Sequence, residues 1–383
     1  MIDISVLNLL NAPTRQERIA NLKEVLKNTV FPPMVSHYIN NHIHTTYSFS
    51  PYSPTAAVYA ARMEGLCTAG IVDHDTISGA EEFLEAAALV QIPVTIGMEA
   101  RVSMDGTRLE GRRTNNPDQA GVSYMTIQSV PHDKIPILTE FFKPYQAARH
   151  VRNRKMVANI NQLLGLDMDY DQDVLPLSLV EENGAVTERH LMYALAMRLV
   201  KEVGKGPAMV AKLGQMGLTL SQKQKEQMLD ESYPFYEYDL LGMLKGTFVP
   251  QIFVDATDEC PRLPEMVALC KEIDAYLCYA YLGDVGNSVT GDKKAQKFED
   301  DYLEDVFECL KEEGVGAVAY MPTRNTPAQL ERLRSLCDAY GMFQISGEDI
   351  NSPRQSFIIK AMENPMFANL IDATWKLIEH ENQ

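Results

Sequence analysis

Three short apolar runs each end in side chains suited to a hard or borderline cation. They read Asn41-His42-Ile43-His44, Gly70-Ile71-Val72-Asp73-His74-Asp75 and Thr95-Ile96-Gly97-Met98-Glu99. Side chains on a strand alternate between faces, so His42 and His44 point the same way. Parallel strands joined by helices present their ligands at one common end. Three imidazoles and a carboxylate gathered there read as a metal site. A later run, Gln344-Ile345-Ser346-Gly347-Glu348-Asp349, brings Asp349 to another strand end. The ligand set expected is therefore His42, His44, His74, Glu99 and Asp349. Soft thiolates are absent from it, and imidazole with carboxylate suits zinc, manganese or iron(II), with one to three ions.

Each residue also has a plainer reading. His42 and His44 can be hydrogen-bonded core histidines, and His74 can be an ion pair between Asp73 and Asp75. Glu99 ends an apolar strand, where an unpaired carboxylate costs several kcal/mol, so it needs a cation or Arg101. Asp73 and Asp75 are the candidates to orient a ligand or accept a proton, although Asp75 also suits a turn cap. Glu348 faces away from Asp349 if the strand continues through both. Arg354 follows the last ligand strand and Arg324 lies in Pro322-Thr323-Arg324-Asn325. Either guanidinium can take a phosphate bidentately or form a surface salt bridge. His190 opens a helix, where it either packs or touches substrate.

The elements that must position these groups follow from periodicity and punctuation. Residues 1–36 read as an amphipathic helical extension stopped at Phe31-Pro32-Pro33. Ser53-Pro54 opens a helix that Gly65 closes, and Ser78-Gly79-Ala80-Glu81 has the form of a capping box. Gly106, Gly111, Asn115-Asn116-Pro117 and Gly121 break the pattern, suggesting a loop or hairpin ahead of a strand over 123–130. Residues 135–265 are mostly helical and read as an insertion capping the metal end. Strands resume over 276–281, 315–320 and 342–346, and Thr326-Pro327-Ala328-Gln329 with Gly341 delimits a helix. The expected fold is α/β, a closed or nearly closed barrel of strand–helix units. The barrel is discontinuous over 37–134 and 266–360, with a C-terminal helix over 361–383.

The chain has 383 residues, 45% of them hydrophobic and 23% charged, enough for one large domain or two. No run is long and apolar enough for a membrane span, and the first residues lack the features of a secretory signal. Six cysteines without CxxC spacing fit reduced thiols in a cytoplasm. A net charge of −17 argues against duplex nucleic acid as a partner. A small phosphorylated substrate remains compatible, because a metal and local arginines can reverse the field inside one pocket. Oligomeric state is not readable.

Taken in order, His42-x-His44-Thr45, Val72-Asp73-His74-Asp75 with Gly79 beyond, Gly97-Met98-Glu99 and Ser346-Gly347-Glu348-Asp349 resemble the PHP (polymerase and histidinol phosphatase) superfamily. The resemblance spans roughly residues 37–360. It implies a distorted seven-stranded (β/α) TIM-like barrel with a two- or three-metal cluster at the strand C-termini. It also implies hydrolysis of phosphoesters, from histidinol phosphate to nucleotides and short oligonucleotides. By the same resemblance, His42, His44, Glu99 and Asp349 hold a first metal, Glu99 bridges to a second, and His74 belongs to another. Other family ligand positions read differently here: Tyr47-Ser48-Phe49-Ser50, Gln128, Ala280-Tyr281-Leu282, Asp349-Ile350-Asn351 and Glu188-Arg189-His190. The first metal position is complete and the others have lost ligands. Glu348, Asn351, Gln128 and Tyr281 are the substitutes to inspect.

The expected function is metal-dependent hydrolysis of a phosphomonoester or small phosphodiester. A metal-bound hydroxide would attack phosphorus in line, and arginines near the last strand would neutralise the phosphate oxygens. The alternative is a non-catalytic barrel that binds a metal and a phosphorylated ligand or partner. A third reading is hydrolysis of C–N or C–O bonds.

Overall fold

Seven strands line up in chain order in one sheet: β1 (Val35–Ile43), β2 (Leu66–His74), β3 (Val94–Ser103), β4 (Val122–Gln128), β5 (Tyr276–Ala280), β6 (Ala317–Tyr320) and β7 (Phe343–Ser346). The computed structural model describes residues 3–285 and 296–383. Neighbouring strands are parallel except at β4, which runs antiparallel to both β3 and β5. Past β7 the chain returns to β1: Ile350 N donates to His42 O and His44 N donates to Ile350 O. That seam draws the two sheet edges together into a distorted seven-stranded (β/α) barrel. The strand–helix repeat breaks at β4: the sequence predicts a loop or hairpin ahead of it, and no helix separates it from β3. The intervening loop reverses the chain directly, which an antiparallel pair permits and a parallel pair does not.

The helices are α1 (Ile4–Leu10), α2 (Arg15–Leu26), α3 (Pro54–Met63), α4 (Ala80–Val90), α5 (Ile135–Leu164), α6 (Glu188–Val203), α7 (Pro207–Gln215), α8 (Gln222–Leu229), α9 (Tyr236–Ile252), α10 (Leu263–Glu272), α11 (Leu303–Glu313), α12 (Pro327–Tyr340) and α13 (Ala368–Glu381). Ser53 caps α3 with Pro54 at its first position, and Thr326 caps α12, which stops at a left-handed Gly341. Two local expectations fail. The N-terminal segment is two helices, and α2 ends at Leu26, well before the prolines, so those residues are extended chain leading into β1. No Ser78 capping box forms; the N-cap of α4 is Gly79, without a side-chain cap.

The apolar core is divided. Strands and barrel helices share one large cluster, while α5 to α9 contribute a second, from Met156 and Ile160 through Leu195 to Leu244 and Phe248. Phe49, in the loop after β1, belongs to that second cluster and sits 4.9 Å from the His190 ring and 5.3 Å from Tyr193. Its φ of 90° is costly for a bulky residue, and the contacts it makes with the helical segment offset that cost. At the other end of the barrel, α13 packs Leu377 among Cys278, Ala317, Ala319 and Ile345. Ile96 N donates to Glu381 Oε1 at 2.9 Å, and Ser129 Oγ donates to Leu377 O at 2.8 Å. No described helix is long and apolar enough to cross a membrane.

Candidate metal centre

Alternation along β1 turns the rings of His42 and His44 to one side, and their Nε2 atoms lie 3.2 Å apart. In register with them, β2 ends at His74 and pairs it with Glu99 on β3. His74 Nδ1 is 3.0 Å from Glu99 Oε2, which is also 3.7 Å from His42 Nε2 and 3.9 Å from His44 Nε2. From the loop after β7, Asp349 Oδ1 comes to 3.1 Å from His44 Nε2. Two ligand groups result, His42 with His44 and Asp349, and His44 with His74 and Glu99, sharing His44. Four parts of the barrel thus deliver five side chains to one spot.

Close backbone approach makes this possible. A Cβ on Gly347 would lie 2.6 Å from the Cβ of His42, and one on Gly97 would lie 2.5 Å from Ile127 O. Glycine at both positions lets neighbouring strands close around the ligands.

Burial disfavours charge on His42, His44 and Glu99, and their neighbours decide the outcome. For Glu99, burial pushes the carboxyl up, but His74 and His42 outweigh it and hold it well below its ordinary range. Asp349 is only half-buried, and His44, His42 and Arg189 hold it well below its ordinary range. Burial lowers His44, helped by His74 and opposed by Asp349. His42 is raised, because Glu99 overcomes the cost of burial. Two carboxylates held ionised against buried imidazole nitrogens facing one another are a donor set that fits a divalent cation.

Asp73 does not enter this cluster. Its side chain points to the opposite face of β2 from His74, where it accepts from Thr45 N and Thr45 Oγ1, each at 2.6 Å, and from Ser48 Oγ at 2.5 Å. Ser48 Oγ in turn lies 3.3 Å from His44 Nδ1. Asp73 therefore sets the loop that orients the His44 ring. Asp75 corrects the sequence expectation of a catalytic carboxylate: at φ 55° it turns away and pairs with Arg149 at 2.5 Å.

The expected substrate groups separate. Arg354 is engaged by Asp239 at 2.7 Å and lies over the Tyr233 ring, so its charge is committed on the surface. His190 is an N-terminal cap: its Nδ1 accepts from Thr187 N at 3.0 Å, and burial, reinforced by Arg189, lowers it to about 3. A neutral, packed ring at that position is not a phosphate ligand. Arg324 lies near the strand ends, with Nε donating to Leu282 O at 3.0 Å and a buried Nη2 without a hydrogen-bond partner. Glu348 accepts from Thr323 N at 3.0 Å. Among the other substitutes, Asn351 Nδ2 donates to Asp349 Oδ1 at 2.5 Å, whereas the Tyr281 hydroxyl turns to Asp300 at 2.7 Å.

Sequence reading missed a buried charge network beside the centre. Arg101 forks onto Glu188 at 2.7 and 2.9 Å and reaches Glu259, while Arg152 meets Glu188 at 2.8 Å. Arg149 joins Asp75 to Glu259. Its members lie on β3, α5, α6 and the segment before α10, too far apart in sequence for any local pattern.

Comparison with known proteins bears on this arrangement. A family model for the PHP domain matches residues 40–233. Error-prone DNA polymerases from Mycobacterium bovis and Mycobacterium tuberculosis are 33% identical to the chain over 96 residues, 24% of this chain. The match spans only 8% of the length of those curated relatives. Among solved structures, a candidate metal-dependent phosphoesterase from Bifidobacterium adolescentis superimposes with a TM-score of 0.55 at 18% identity, covering 89% of this chain and 98% of that one. An amidohydrolase from Chromobacterium violaceum, solved with sulfate and without metal, gives 0.56 at 16% identity over 88% and 96%. These structural likenesses agree with the barrel.

Proposed function

The chain belongs to the PHP domain family, and on that premise we propose that it hydrolyses a small phosphoester with the help of a divalent cation. The observation that carries this reading is the convergence of His42, His44, His74, Glu99 and Asp349, with ligand atoms 3.0–3.9 Å apart. Those five residues hold the metal. When bound, zinc, manganese or iron(II) there supplies Lewis acidity and lowers the pKa of a coordinated water to about 7.

The rest falls to the chain's own groups. Asp73 fixes Ser48 and through it the His44 ring, and Asn351 steadies Asp349 by donating to it. Arg324, whose buried Nη2 has no hydrogen-bond partner, neutralises a phosphate oxygen. The sulfate bound by the Chromobacterium violaceum protein, a tetrahedral anion like phosphate, is in keeping with this.

The second reading, a barrel that binds metal and a phosphorylated ligand without turnover, is favoured by Tyr281, whose hydroxyl is tied to Asp300 rather than aimed at the metal ligands. A phosphoester screen separates the two. Manganese- or zinc-loaded protein should release phosphate from a monoester or small diester, and Glu99→Gln should abolish the release. Metal uptake without hydrolysis of any ester would select the non-catalytic reading.

A further inference from the structure

A small cavity of about 40 Å³ opens beside His74, between the barrel and the helical segment. Its basic lining is Arg101, Arg149, Arg189 and Lys245. Two of these charges are already balanced. Arg101 is held by Glu188 and Glu259, and Arg149 by Asp75 and Glu259. Arg189 donates to Asn351 O at 3.0 Å, beside Asp349.

Lys245 is different. It projects from α9, is partly buried, and makes no hydrogen bond or ion pair with any described residue. Burial and Arg189 lower its pKa, while Asp118, Glu188 and Asp349 oppose them. A half-buried lysine lining a narrow cavity without a partner gives up part of its hydration, at a cost. Lysine is also strongly hydrated and would normally extend to solvent. An anion that enters the cavity removes that cost.

We propose that Lys245, supplied by the helical insertion, grips a phosphate oxygen of the substrate in this cavity. The proposal rests on the phosphoesterase reading and deepens it. It makes the insertion part of the active site and selects substrates with a terminal phosphate dianion over neutral esters or amides. Arg324 and Lys245 then flank the phosphate from the barrel and from the insertion.

The test is calorimetric titration with inorganic phosphate of the full chain, metal-free and manganese-loaded, as wild type, Lys245→Met and Lys245→Arg. Losing one charge-assisted contact weakens phosphate by about 10- to 100-fold in Lys245→Met. Lys245→Arg should restore much of it, and manganese affinity should stay unchanged in both. Removing an unpaired, half-buried charge should also leave the melting temperature of Lys245→Met equal or higher, which a structural lysine would not do. Equal phosphate affinity in wild type and Lys245→Met, or no phosphate binding by wild type, overturns the proposal. Lys245-dependent phosphate binding by a chain that takes up no metal would support the anion site at Lys245 but remove the metal-hydrolase reading, and with it the site's role in hydrolysis.

Discussion

Replacing Glu381 by glutamine tests how α13 is fastened to the base of the barrel. Glu381 is almost fully buried; one oxygen accepts from Ile96 N, and the other has no hydrogen-bond partner, with His132 Nε2 3.7 Å away. Burial outweighs His132 and the Ile96 N–H and raises the carboxyl to about 7, against an ordinary 4.5. Between those values the folded chain keeps a proton that the unfolded chain releases. The stability linked to this group is therefore complete below about pH 4.5, declines as pH rises, and is gone above about pH 7. The decline is about 1.4 kcal/mol per pH unit, on the order of 3 kcal/mol across the window. Glutamine can still accept from Ile96 N and carries no charge to desolvate, so its curve lacks this decline. Thermal and urea unfolding at pH 5 and pH 8 should show Glu381→Gln close to wild type at pH 5 and more stable at pH 8, by several degrees. Parallel pH profiles for the two proteins, or a less stable variant at pH 8, would refute the reasoning and mean that Glu381 is ionised in the folded chain.

Further substitutions probe other parts of the account. Ser48→Ala removes the hydroxyl between Asp73 and His44, and metal affinity measured by competition with a chelating dye should fall about 10- to 100-fold with little change in fold. Gly347→Ala places a methyl against the Cβ of His42. It should destabilise the protein by about 1–3 kcal/mol in unfolding experiments and weaken metal binding as β1 and the Asp349 loop move apart. Arg18 pairs with Glu82 at 2.5 Å, both fully buried. Arg18→Met should therefore cost about 3–5 kcal/mol in denaturant unfolding, and adding Glu82→Gln should recover much of it, because the damage is an uncompensated carboxylate.

Side-chain alternation made β1 and its two histidines legible, and the polar ends of apolar runs gave His74, Glu99 and Asp349. Strand ends are local features, and a barrel brings them together whatever lies between. Asp73 and Asp75 show where that logic stops. They flank His74 in sequence, but Asp73 lies on the other face of the strand, and the left-handed backbone at Asp75 swings its carboxylate to Arg149. Arg354 read as a phosphate ligand because it follows Asp349, yet its partner, Asp239, is more than a hundred residues earlier. The breaks at Gly106, Gly111 and Gly121 read as a loop or hairpin ahead of β4, which already allowed an antiparallel strand. Its composition suits either orientation, and only the length of the connection decided it. Lys245 carried no local signal, since its place beside His74 depends on how α9 packs against α6.

The central claim is that the strand ends form a working cation site, and elemental analysis with equilibrium metal titration tests it most directly. Purified protein incubated with zinc or manganese and then desalted should retain at least one ion per chain. His44 contributes to both ligand groups, so His44→Ala should lose nearly all bound metal, while Arg354→Ala should keep it. A wild-type chain that retains neither metal, or a His44→Ala chain that binds as tightly as wild type, would contradict the account.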